Sequence, residues 1–316
     1  MKNSQPVILV TGSDLAPQAL ELLADYEIVY AGKQPTEDDL CRLCAQHDPL
    51  AIIVRYGKIN ARIMDAAPHL RVISKHGSGI DVIDQDAAAK RQISVQSAPG
   101  SNASAVAEHA WAMILASAKS LVPLESRMRQ GYWDKSTHKS RELEGKTLGL
   151  IGLGAIGSRV AQIGKAFEMK VIAYDPFAKN FPEGCQSASL EVLLQTADVI
   201  SLHCPLTDQT HQMINRETLA LCKKGTILVN TARGGLIDDE ALVQALDEGT
   251  LSWAALDSFA VEPLTAPHRW QHIENVILSP HIGGVSDVSY IKMGVAAASN
   301  VLKVLATPLK HQAAIS

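Results

Sequence analysis

The stretch LGLIGLGAIGSRVAQIGKAF, residues 148–167, joins an apolar run to a helical pattern through closely spaced glycines. Gly152, Gly154 and Gly157 follow the spacing G-x-G-x-x-G. In a strand–turn–helix unit, the first glycine permits a tight turn and the second lets the backbone approach a pyrophosphate. The third lets the helix pack closely on the strand, and the N–H groups at the helix start then face the anion. This stretch therefore predicts a dinucleotide-binding unit.

An acidic residue, Asp175, ends the next predicted strand, KVIAYDP. Its distance along the chain from Gly157 matches that of the carboxylate that binds the adenosine ribose in dinucleotide-binding units. A carboxylate at this position accepts hydrogen bonds from both ribose hydroxyls and repels a 2′-phosphate, which favours NAD over NADP. The alternative, a structural glycine turn with a surface aspartate, is less consistent with the order strand, turn, helix, strand and carboxylate.

Short apolar runs alternate with amphipathic segments along the chain, a pattern typical of βαβ units with parallel sheets. The first series of predicted strands is VILVTG, EIVYAG, AIIVRYG, RVISKHG and ISVQSAP. The second series is KTLGLIGLG, KVIAYDP, DVISLHCP, TILVNTA, LSWAALD and NVILSPH. A helical stretch over residues 102–131, broken by Pro123, separates them, and a last helix is predicted from about Ser286 to Leu305. The predicted fold class is α/β with two doubly wound parallel sheets.

Length and composition limit the classes of protein to consider. The chain has 316 residues, more than one hydrophobic core usually organises, so we expect two domains. The formal net charge of -4 provides no basic surface for nucleic acid. No apolar run reaches the roughly 18 residues of a membrane span, and the N-terminal segment lacks the apolar core of a signal peptide. These features predict a cytoplasmic protein with no nucleic-acid or membrane partner.

The five cysteines are an odd number and do not predict a disulfide framework. Cys41 and Cys44 form a C-x-x-C pair with His47 close behind, which leaves a metal or redox site as one interpretation. No second ligand pair follows at zinc spacing. The simpler interpretation is that Leu40, Cys41, Leu43 and Cys44 share the buried side of one helix, so no metal site is predicted.

Polar side chains follow three strands of the second series, at the edge where ligands bind in an open parallel sheet. Arg233 follows TILVNTA, Asp257 and Glu262 follow LSWAAL, and His281 follows NVILSP. Taken singly, they have ordinary explanations: a surface ion pair, a loop carboxylate and a core histidine. Their position beyond the sheet that carries the glycine turn favours one shared site, in which Asp257 could hold the nicotinamide carboxamide.

These residue types suit hydride transfer to a 2-oxo acid. The guanidinium of Arg233 can bind the substrate carboxylate through two hydrogen bonds, and Gly234 and Gly235 are expected to leave room for it. His281 can give the carbonyl oxygen its proton, since histidine has an ordinary pKa of about 6.5. A carboxylate on the other ring nitrogen, that of Glu262, would orient the ring and favour its protonated form.

The chain resembles the D-isomer-specific 2-hydroxyacid dehydrogenase family over nearly its whole length, and within it the phosphoglycerate dehydrogenases. The segments that carry the resemblance are APGSNASAVAEHA, GLGAIG with YDP, HCPLTDQTHQMIN, LVNTARGGLIDDEALVQAL, ALDSFAVEP and ILSPHIGG. The resemblance implies Arg233, Glu262 and His281 as the catalytic set. It also implies a set of residues around NAD: Gly152, Gly154, Ala155, Ile156, Gly157, Asp175, Cys204, Pro205, Thr231, Ala232, Asp257 and Gly283.

The resemblance further implies the architecture and the assembly. A Rossmann NAD-binding domain, residues 102–285, is expected to be inserted in a flavodoxin-like substrate domain formed by residues 1–101 and 286–316. Members of the family are usually homodimers, and the long helical region contributes to their interface. A homodimer is therefore expected here.

The substrate is predicted less directly. In phosphoglycerate dehydrogenases two arginines of the first domain approach the substrate; Arg55 matches one, and Lys75 stands where the other would be. The loop after Arg55 is one residue shorter than in those enzymes, and His76 replaces a small residue. Positive charge is retained, so a second anionic group on the substrate is expected. The substrate-binding residues implied are Arg55, Lys75, Gly77, Ser78, Gly79, Arg233 and His281, with the backbone N–H groups of residues 77–80 assisting.

Other functions on the same fold stay open at this point. One is an NAD-sensing, corepressor-like binding protein, because such relatives retain the arginine, glutamate and histidine. Others are a hydroxypyruvate or glyoxylate reductase and a formate or phosphite dehydrogenase. A panel of substrates distinguishes them.

Overall fold

The computed structural model describes residues 5–307. They divide into two compact units, which we call unit 1 (residues 5–102 and 286–307) and unit 2 (residues 103–285). Each unit has its own parallel sheet and its own hydrophobic core.

The described part of unit 1 contains a five-stranded parallel sheet in the order β2-β1-β3-β4-β5. The strands are β1 (Val7–Val10), β2 (Glu27–Tyr30), β3 (Ala51–Val54), β4 (Val72–Lys75) and β5 (Ser94–Gln96). The helices between them are α1 (Pro17–Leu22), α2 (Glu37–His47), α3 (Ala61–Asp65) and α4 (Gln85–Lys90). This strand order is that of flavodoxin-like sheets, whose ligands bind beyond the carboxyl ends of the central strands.

Alternation within the central strands explains why their sequences read as continuous apolar runs. In β3, Ile52 and Val54 belong to a core with residues of α2, α3 and α4, whereas Ile53 belongs to a second core with residues of α1. Both faces of the strand are therefore buried. The C-x-x-C pair lies in α2 as predicted from its apolar neighbours: Cys44 is fully buried, and Cys41 packs partly buried against the same core.

Unit 2 contains a seven-stranded parallel sheet in the order β12-β11-β10-β9-β6-β7-β8. Its strands are β6 (Thr147–Ile151), β7 (Lys170–Tyr174), β8 (Cys185–Ser187), β9 (Val199–Leu202), β10 (Thr226–Asn230), β11 (Leu251–Leu256) and β12 (Val276–Leu278). Its helices are α5 (Ala103–Ala118), α6 (Leu121–Arg129), α7 (Ala155–Ala166), α8 (Leu190–Thr196), α9 (Arg216–Ala220) and α10 (Asp239–Asp247). The order reverses between β6 and β9, as in dinucleotide-binding sheets, and the predicted fold class is confirmed.

Two local features of unit 2 differ from the prediction. The helical stretch breaks at Ser120, which has a φ of 48°, and not at Pro123. Proline is tolerated in the first turn of a helix, where Pro123 lies in α6, but its ring would clash with the carbonyl four residues earlier in a continuous helix. Strand β8 was not predicted, because only Cys185 of its three residues is buried and the run is polar.

The last helix, α11 (Asp287–Ala306), belongs to unit 1 and contacts α1 and β4. Among the described residues it is the one helix whose length and mean hydropathy of 1.2 would suffice for a membrane span. The search for uninterrupted apolar runs in the sequence did not identify it, because polar residues interrupt the helix. Ala297, Ala298 and Val301 of this helix are fully buried in the core with α1. A core helix of this kind meets the same criteria of length and composition.

Candidate active site

The glycine turn between β6 and α7 has the geometry that the sequence predicts. Gly152 has a φ of 96°, and a Cβ atom there would lie 2.6 Å from the backbone nitrogen of Cys204. A Cβ on Gly157 would lie 2.2 Å from the carbonyl oxygen of Gly152, so both positions exclude a side chain. Gly154, in contrast, faces open space, and no side chain caps α7. The N–H groups at the start of α7, including those of Ala155 and Ile156, are thus open to a phosphate group.

The carboxylate of Asp175 lies directly beside this turn. It accepts a hydrogen bond from the backbone N–H of Leu153, at 2.7 Å, and from the N–H groups of Phe177 and Ala178, at 2.9 and 3.1 Å. Asp175 therefore joins the end of β7 to the glycine turn. A negative charge is fixed next to an anion-binding helix start, which suits a ribose diol and opposes a 2′-phosphate.

Two further residues of the predicted cofactor set follow β9. Cys204 lies next to the glycine turn, since its backbone nitrogen blocks a side chain at Gly152, and Pro205 follows it in the sequence. Burial raises the pKa of the Cys204 thiol to about 11, and its Sγ contacts Sδ of Met213 at 3.8 Å. Cys204 is therefore a neutral thiol at physiological pH.

The end of β10 is shaped by Asn230, which the sequence analysis did not single out. Its side-chain oxygen accepts the N–H of Ala232 at 3.0 Å, and its side-chain nitrogen donates to the carbonyl of Arg233 at 2.8 Å. These bonds form a turn that ends the strand and places the next residues at the carboxyl edge of the sheet. Thr231 has a buried hydroxyl with no partner among the described protein atoms. Such a hydroxyl can bond to a ligand.

The two glycines after Arg233 lie where a side chain would clash with other segments of unit 2. A Cβ on Gly234 would lie 1.9 Å from the backbone carbon of Phe259, and one on Gly235 would lie 2.9 Å from the side chain of Leu206. They leave room for the loop after β11 and for Leu206, which brings that loop against the end of β10. That they also leave room for Arg233 stays a prediction.

The loop after β11 carries Glu262, which pairs with His281. One carboxylate oxygen of Glu262 lies 2.7 Å from Nδ1 of His281, and the other accepts the N–H of Phe259 at 2.9 Å. Burial raises the pKa of Glu262, but the bonds from His281 and Phe259 and the charge of Arg233 together lower it below its usual range. Glu262 is therefore a carboxylate at neutral pH. Because Nδ1 of His281 faces this acceptor, Nε2 is the nitrogen left for proton exchange.

Asp257 lies at the end of β11 and is 1% exposed. Its two oxygens accept hydrogen bonds from the backbone N–H groups of Ile282 and Gly283, at 2.9 and 2.8 Å. One of them also accepts the hydroxyl of Ser279 at 2.6 Å. Burial raises the pKa of Asp257, but these donors and His109 lower it overall. Asp257 thus anchors the loop that carries His281, a contact that the sequence did not reveal.

Unit 1 places its predicted substrate residues beyond β3 and β4. Arg55 follows β3, forms an ion pair with Asp14 and lies over the rings of Tyr56 and Tyr290, at 5.4 and 5.2 Å from their centroids. Lys75 ends β4, and its Nζ donates to the carbonyls of Val54 and Arg55, at 3.3 and 3.2 Å. The two cations are therefore neighbours at one edge of the sheet.

The bend after β4 contains Gly77, Ser78 and Gly79. Gly77 has a φ of 135°, a conformation that other residues rarely adopt. The hydroxyl oxygen of Ser78 lies 3.3 Å from the carbonyl oxygen of Ala98 and 3.3 Å from the side-chain oxygen of Asn102, so it can donate to either. His76 precedes the bend and is 8% exposed; burial, together with the charges of Arg55 and Lys75, lowers its pKa to about 4.

Comparison with known proteins identifies the family. The model of the D-isomer specific 2-hydroxyacid dehydrogenase NAD-binding domain matches residues 111–283. A glyoxylate reductase from Aeropyrum pernix is 38% identical over 94% of this chain and 92% of its own length. A hydroxypyruvate reductase from Thermotoga maritima is 38% identical over 92% of this chain and 96% of its own. A D-3-phosphoglycerate dehydrogenase from Mycobacterium bovis is 38% identical over 96% of this chain but only 57% of its own length.

Solved structures agree with these relatives. A protein from Thermus thermophilus matches with a TM-score of 0.88 and 37% identity, covering 95% of this chain and 97% of that one. A D-lactate dehydrogenase from Aquifex aeolicus, complexed with NAD and lactic acid, matches with a TM-score of 0.82 and 33% identity, covering 95% of both chains. The chain therefore belongs to the D-isomer-specific 2-hydroxyacid dehydrogenase family and is an NAD-dependent oxidoreductase of 2-hydroxy acids.

Proposed function

We propose that the chain interconverts a 2-oxo acid and the D-2-hydroxy acid, with Arg233, Glu262 and His281 as its catalytic residues. The observation that carries this proposal is the 2.7 Å contact between Glu262 and His281 beyond the sheet that also holds the glycine turn. The charge of Arg233 acts on the same carboxylate. A cation for the substrate carboxylate and a proton donor for its carbonyl oxygen are thus held in one unit.

Bound NADH would supply the hydride that the carbonyl carbon takes up in the reduction. Arg233 binds the substrate carboxylate through its planar guanidinium and so orients the carbonyl group. His281 donates the proton on Nε2 to the carbonyl oxygen, which becomes the hydroxyl of the product. Glu262 accepts the hydrogen bond from Nδ1 and keeps the ring in one orientation. In the oxidation, Nε2 of His281 takes the hydroxyl proton back.

The cofactor contacts we propose begin at the glycine turn. The N–H groups after Gly154 bind the pyrophosphate, and Asp175 binds the adenosine ribose. The remaining cofactor contacts are assigned to Ala155, Ile156, Cys204, Pro205, Thr231, Ala232, Asp257 and Gly283. The open space at Gly154 and the unpartnered hydroxyl of Thr231 support this assignment.

We further propose that the substrate carries a second anionic group, such as a phosphate, which Arg55 and Lys75 bind. These two cations are adjacent, and Asp14 pairs with Arg55. His76 adds no charge near neutral pH because its pKa is about 4. The backbone of residues 77–79 is proposed to assist in holding the substrate. This gives a phosphoglycerate dehydrogenase-like function.

A second candidate is the reduction of a small 2-oxo acid such as glyoxylate or hydroxypyruvate. The ion pair between Asp14 and Arg55 favours it, because a guanidinium that is already paired with a carboxylate attracts a second anion less strongly. Two relatives with high coverage are named for these reactions.

Kinetics with matched substrates decide between these candidates. Oxidation of NADH is measured with phosphohydroxypyruvate, hydroxypyruvate and glyoxylate for the wild type, Lys75→Met and the exposed control Lys90→Met. A phosphorylated substrate bound by Lys75 loses kcat/KM at least tenfold in Lys75→Met alone, while glyoxylate loses little. Equal effects on all three acids would favour the small substrate. Turnover of formate or phosphite alone, or binding of NADH without turnover of any acid, would support the other functions of this fold.

We also propose that the protein is a homodimer through unit 2. Helix α6 and the residues after it expose several large apolar side chains, with Leu121 61% and Trp133 74% exposed. The others are Val122, Met128 and Tyr132. Exposed apolar side chains concentrated in one segment are typical of a surface that binds another protein. Sedimentation of the wild type and Trp133→Glu tests it: a dimer that becomes a monomer supports the proposal, and a monomeric wild type contradicts it.

A further inference from the structure

We propose that His109 of α5 is a positioning residue that holds the turn carrying His281, by way of Ser279 and Asp257. The inference rests on the proposed role of His281 as the proton donor. His109 itself touches none of the proposed reacting groups, and all of the contacts that support its role lie within unit 2.

A series of side-chain contacts connects α5 to the loop that carries His281. Nε2 of His109 lies 2.9 Å from the hydroxyl oxygen of Ser279 and 3.4 Å from a carboxylate oxygen of Asp257. The hydroxyl of Ser279 donates to that same oxygen at 2.6 Å. The three side chains thus meet at one carboxylate oxygen, although His109 and Ser279 are far apart in sequence.

The hydroxyl group sets the direction of these bonds. Ser279 has one hydroxyl proton, and it is used toward Asp257. The oxygen of Ser279 must therefore accept from His109, which requires a proton on Nε2 of His109. Leucine could not replace this donor, whereas the side-chain amide of glutamine has an N–H that can reach a similar position.

The loop is held on both sides of His281. On the near side, the N–H of Ser279 donates to the carbonyl of Leu256 at 3.0 Å, and its side chain is bound by His109 and Asp257. On the far side, Ile282 and Gly283 donate to Asp257. His281 lies between these anchors with a φ of 51°, and its N–H donates to the carbonyl of Ser279 at 3.0 Å.

A left-handed conformation at a histidine persists only where the surroundings hold it. His109 also packs against the far side of this turn. A Cβ on Gly283 would lie 3.1 Å from Cδ2 of the His109 ring and 2.8 Å from Asp257. Gly283 therefore lets the imidazole approach the loop backbone closely. His109 has two independent contacts with the loop, one polar and one steric, and both constrain the backbone that aims His281.

The test compares His109→Leu with His109→Gln. A further variant, Ser279→Ala, removes the hydroxyl group that connects His109 to Asp257. Exposed His272 provides a matched control, His272→Leu, and His281→Ala reports on the proposed function. For each variant we would measure kcat and KM on the best 2-oxo acid, NADH affinity by fluorescence, and the melting temperature. Small misplacements of a reacting group can reduce rates by up to about 10²-fold.

We expect kcat of His109→Leu to fall between ten- and a hundred-fold, with KM and NADH affinity within about threefold of the wild type. His109→Gln recovers most of the loss, and His272→Leu has none. Ser279→Ala loses a similar factor, and the double variant is no worse than the poorer single variant, because both act on one chain of contacts. If His109→Leu does not fold, Ser279→Ala decides in the same way.

Other outcomes contradict the inference in distinguishable ways. If His109→Leu and Ser279→Ala turn over normally while His281→Ala is inactive, the positioning role is wrong and the proposed function stands. If His281→Ala turns over normally, the proposed function is wrong and the inference with it. If His109→Leu loses NADH affinity by the same factor as kcat/KM, its role lies in the cofactor site and not in positioning His281.

Discussion

Each unit places a histidine just beyond the carboxyl end of a strand, and the two histidines have opposite surroundings. In unit 1, His76 follows β4 and is 8% exposed, beside the cations Arg55 and Lys75, and its pKa is lowered to about 4. In unit 2, His281 follows β12, its side chain is 43% exposed, and Nδ1 faces the carboxylate of Glu262. The same residue type is thus buried among positive charges in one unit and paired with a negative charge in the other.

The difference indicates that the two units have different roles. A buried histidine among cations cannot hold a proton at neutral pH, so His76 acts as a neutral packing group beside Gly294 and Tyr290. A histidine fixed by a carboxylate at one nitrogen is suited to exchange a proton at the other. We therefore propose that unit 2 carries the chemistry and that unit 1 binds a second group of the substrate. The predictions below test this division.

The largest expected effect is that of His281→Ala. Turnover should fall on the order of 10²–10⁴-fold, because the carbonyl oxygen loses its proton donor. NADH affinity, measured by fluorescence, should stay nearly unchanged, since the glycine turn is intact. Glu262→Gln should reduce turnover less and change the pH profile. A His281→Ala enzyme with normal turnover would remove the basis for assigning chemistry to unit 2.

The second effect concerns stability at acid pH. Above pH 6.5 His76 is neutral in both folded and unfolded chains and contributes no pH dependence. Below pH 6.5 His76 binds a proton in the unfolded chain, whereas in the folded chain it binds one only near pH 4. The free energy of unfolding therefore decreases as the pH falls. The free energy of unfolding decreases by about 3 kcal/mol over this range.

Urea unfolding of the wild type and His76→Gln, followed by circular dichroism between pH 7 and 4, measures this loss. As the pH falls through this range, the free energy of unfolding of His76→Gln should rise by about 3 kcal/mol relative to that of the wild type. An identical pH dependence of the two proteins would show that burial and the neighbouring cations do not lower the pKa of His76.

The third effect is that of Arg233→Lys. Lysine keeps the charge but not the planar pair of hydrogen bonds, so kcat/KM should fall tenfold for each ~1.4 kcal/mol of transition-state binding lost. NADH affinity should change little, and exposed Arg216→Lys serves as the control. Loss of NADH affinity alone would move Arg233 from the substrate to the cofactor.

The smallest expected effect is on the choice of cofactor. Asp175→Asn keeps an oxygen that can accept the N–H of Leu153 but removes the charge, whereas alanine would also release the glycine turn. The efficiency with NADP(H) relative to NAD(H) should rise several-fold, because a charge repulsion of about 1 kcal/mol is removed. A wild type that uses both cofactors equally well would contradict the role assigned to Asp175.

Much of the fold followed from local patterns in the sequence. The central strands are apolar because both faces are buried, and the glycine spacing identifies the turn at Gly152. The pairing of Glu262 with His281 was also expected, since both follow neighbouring strands of one sheet. Strand β8 was missed because an edge strand buries too few side chains to show a hydrophobic pattern. The helix break was predicted at Pro123, three residues after its actual position at Ser120.

The support of the site could not be predicted in this way. His109 meets Ser279 and Asp257 through contacts between distant segments, and no local pattern marks them. The close approach of the Phe259 backbone to Gly234 was likewise not marked by any local pattern. Sequence patterns mark the groups that we propose to face the ligand, whereas the groups behind them depend on how the strands are ordered in space.

The most direct test of the central claim is the product formed from hydroxypyruvate and NADH, analysed by chiral chromatography alongside NADH absorbance. Hydroxypyruvate is suitable because it needs only the groups assigned to unit 2. We predict that one D-glycerate forms for each NADH oxidised, and that His281→Ala forms almost none under the same conditions. Formation of the L isomer, or NADH oxidation that is unchanged in His281→Ala, would contradict the account.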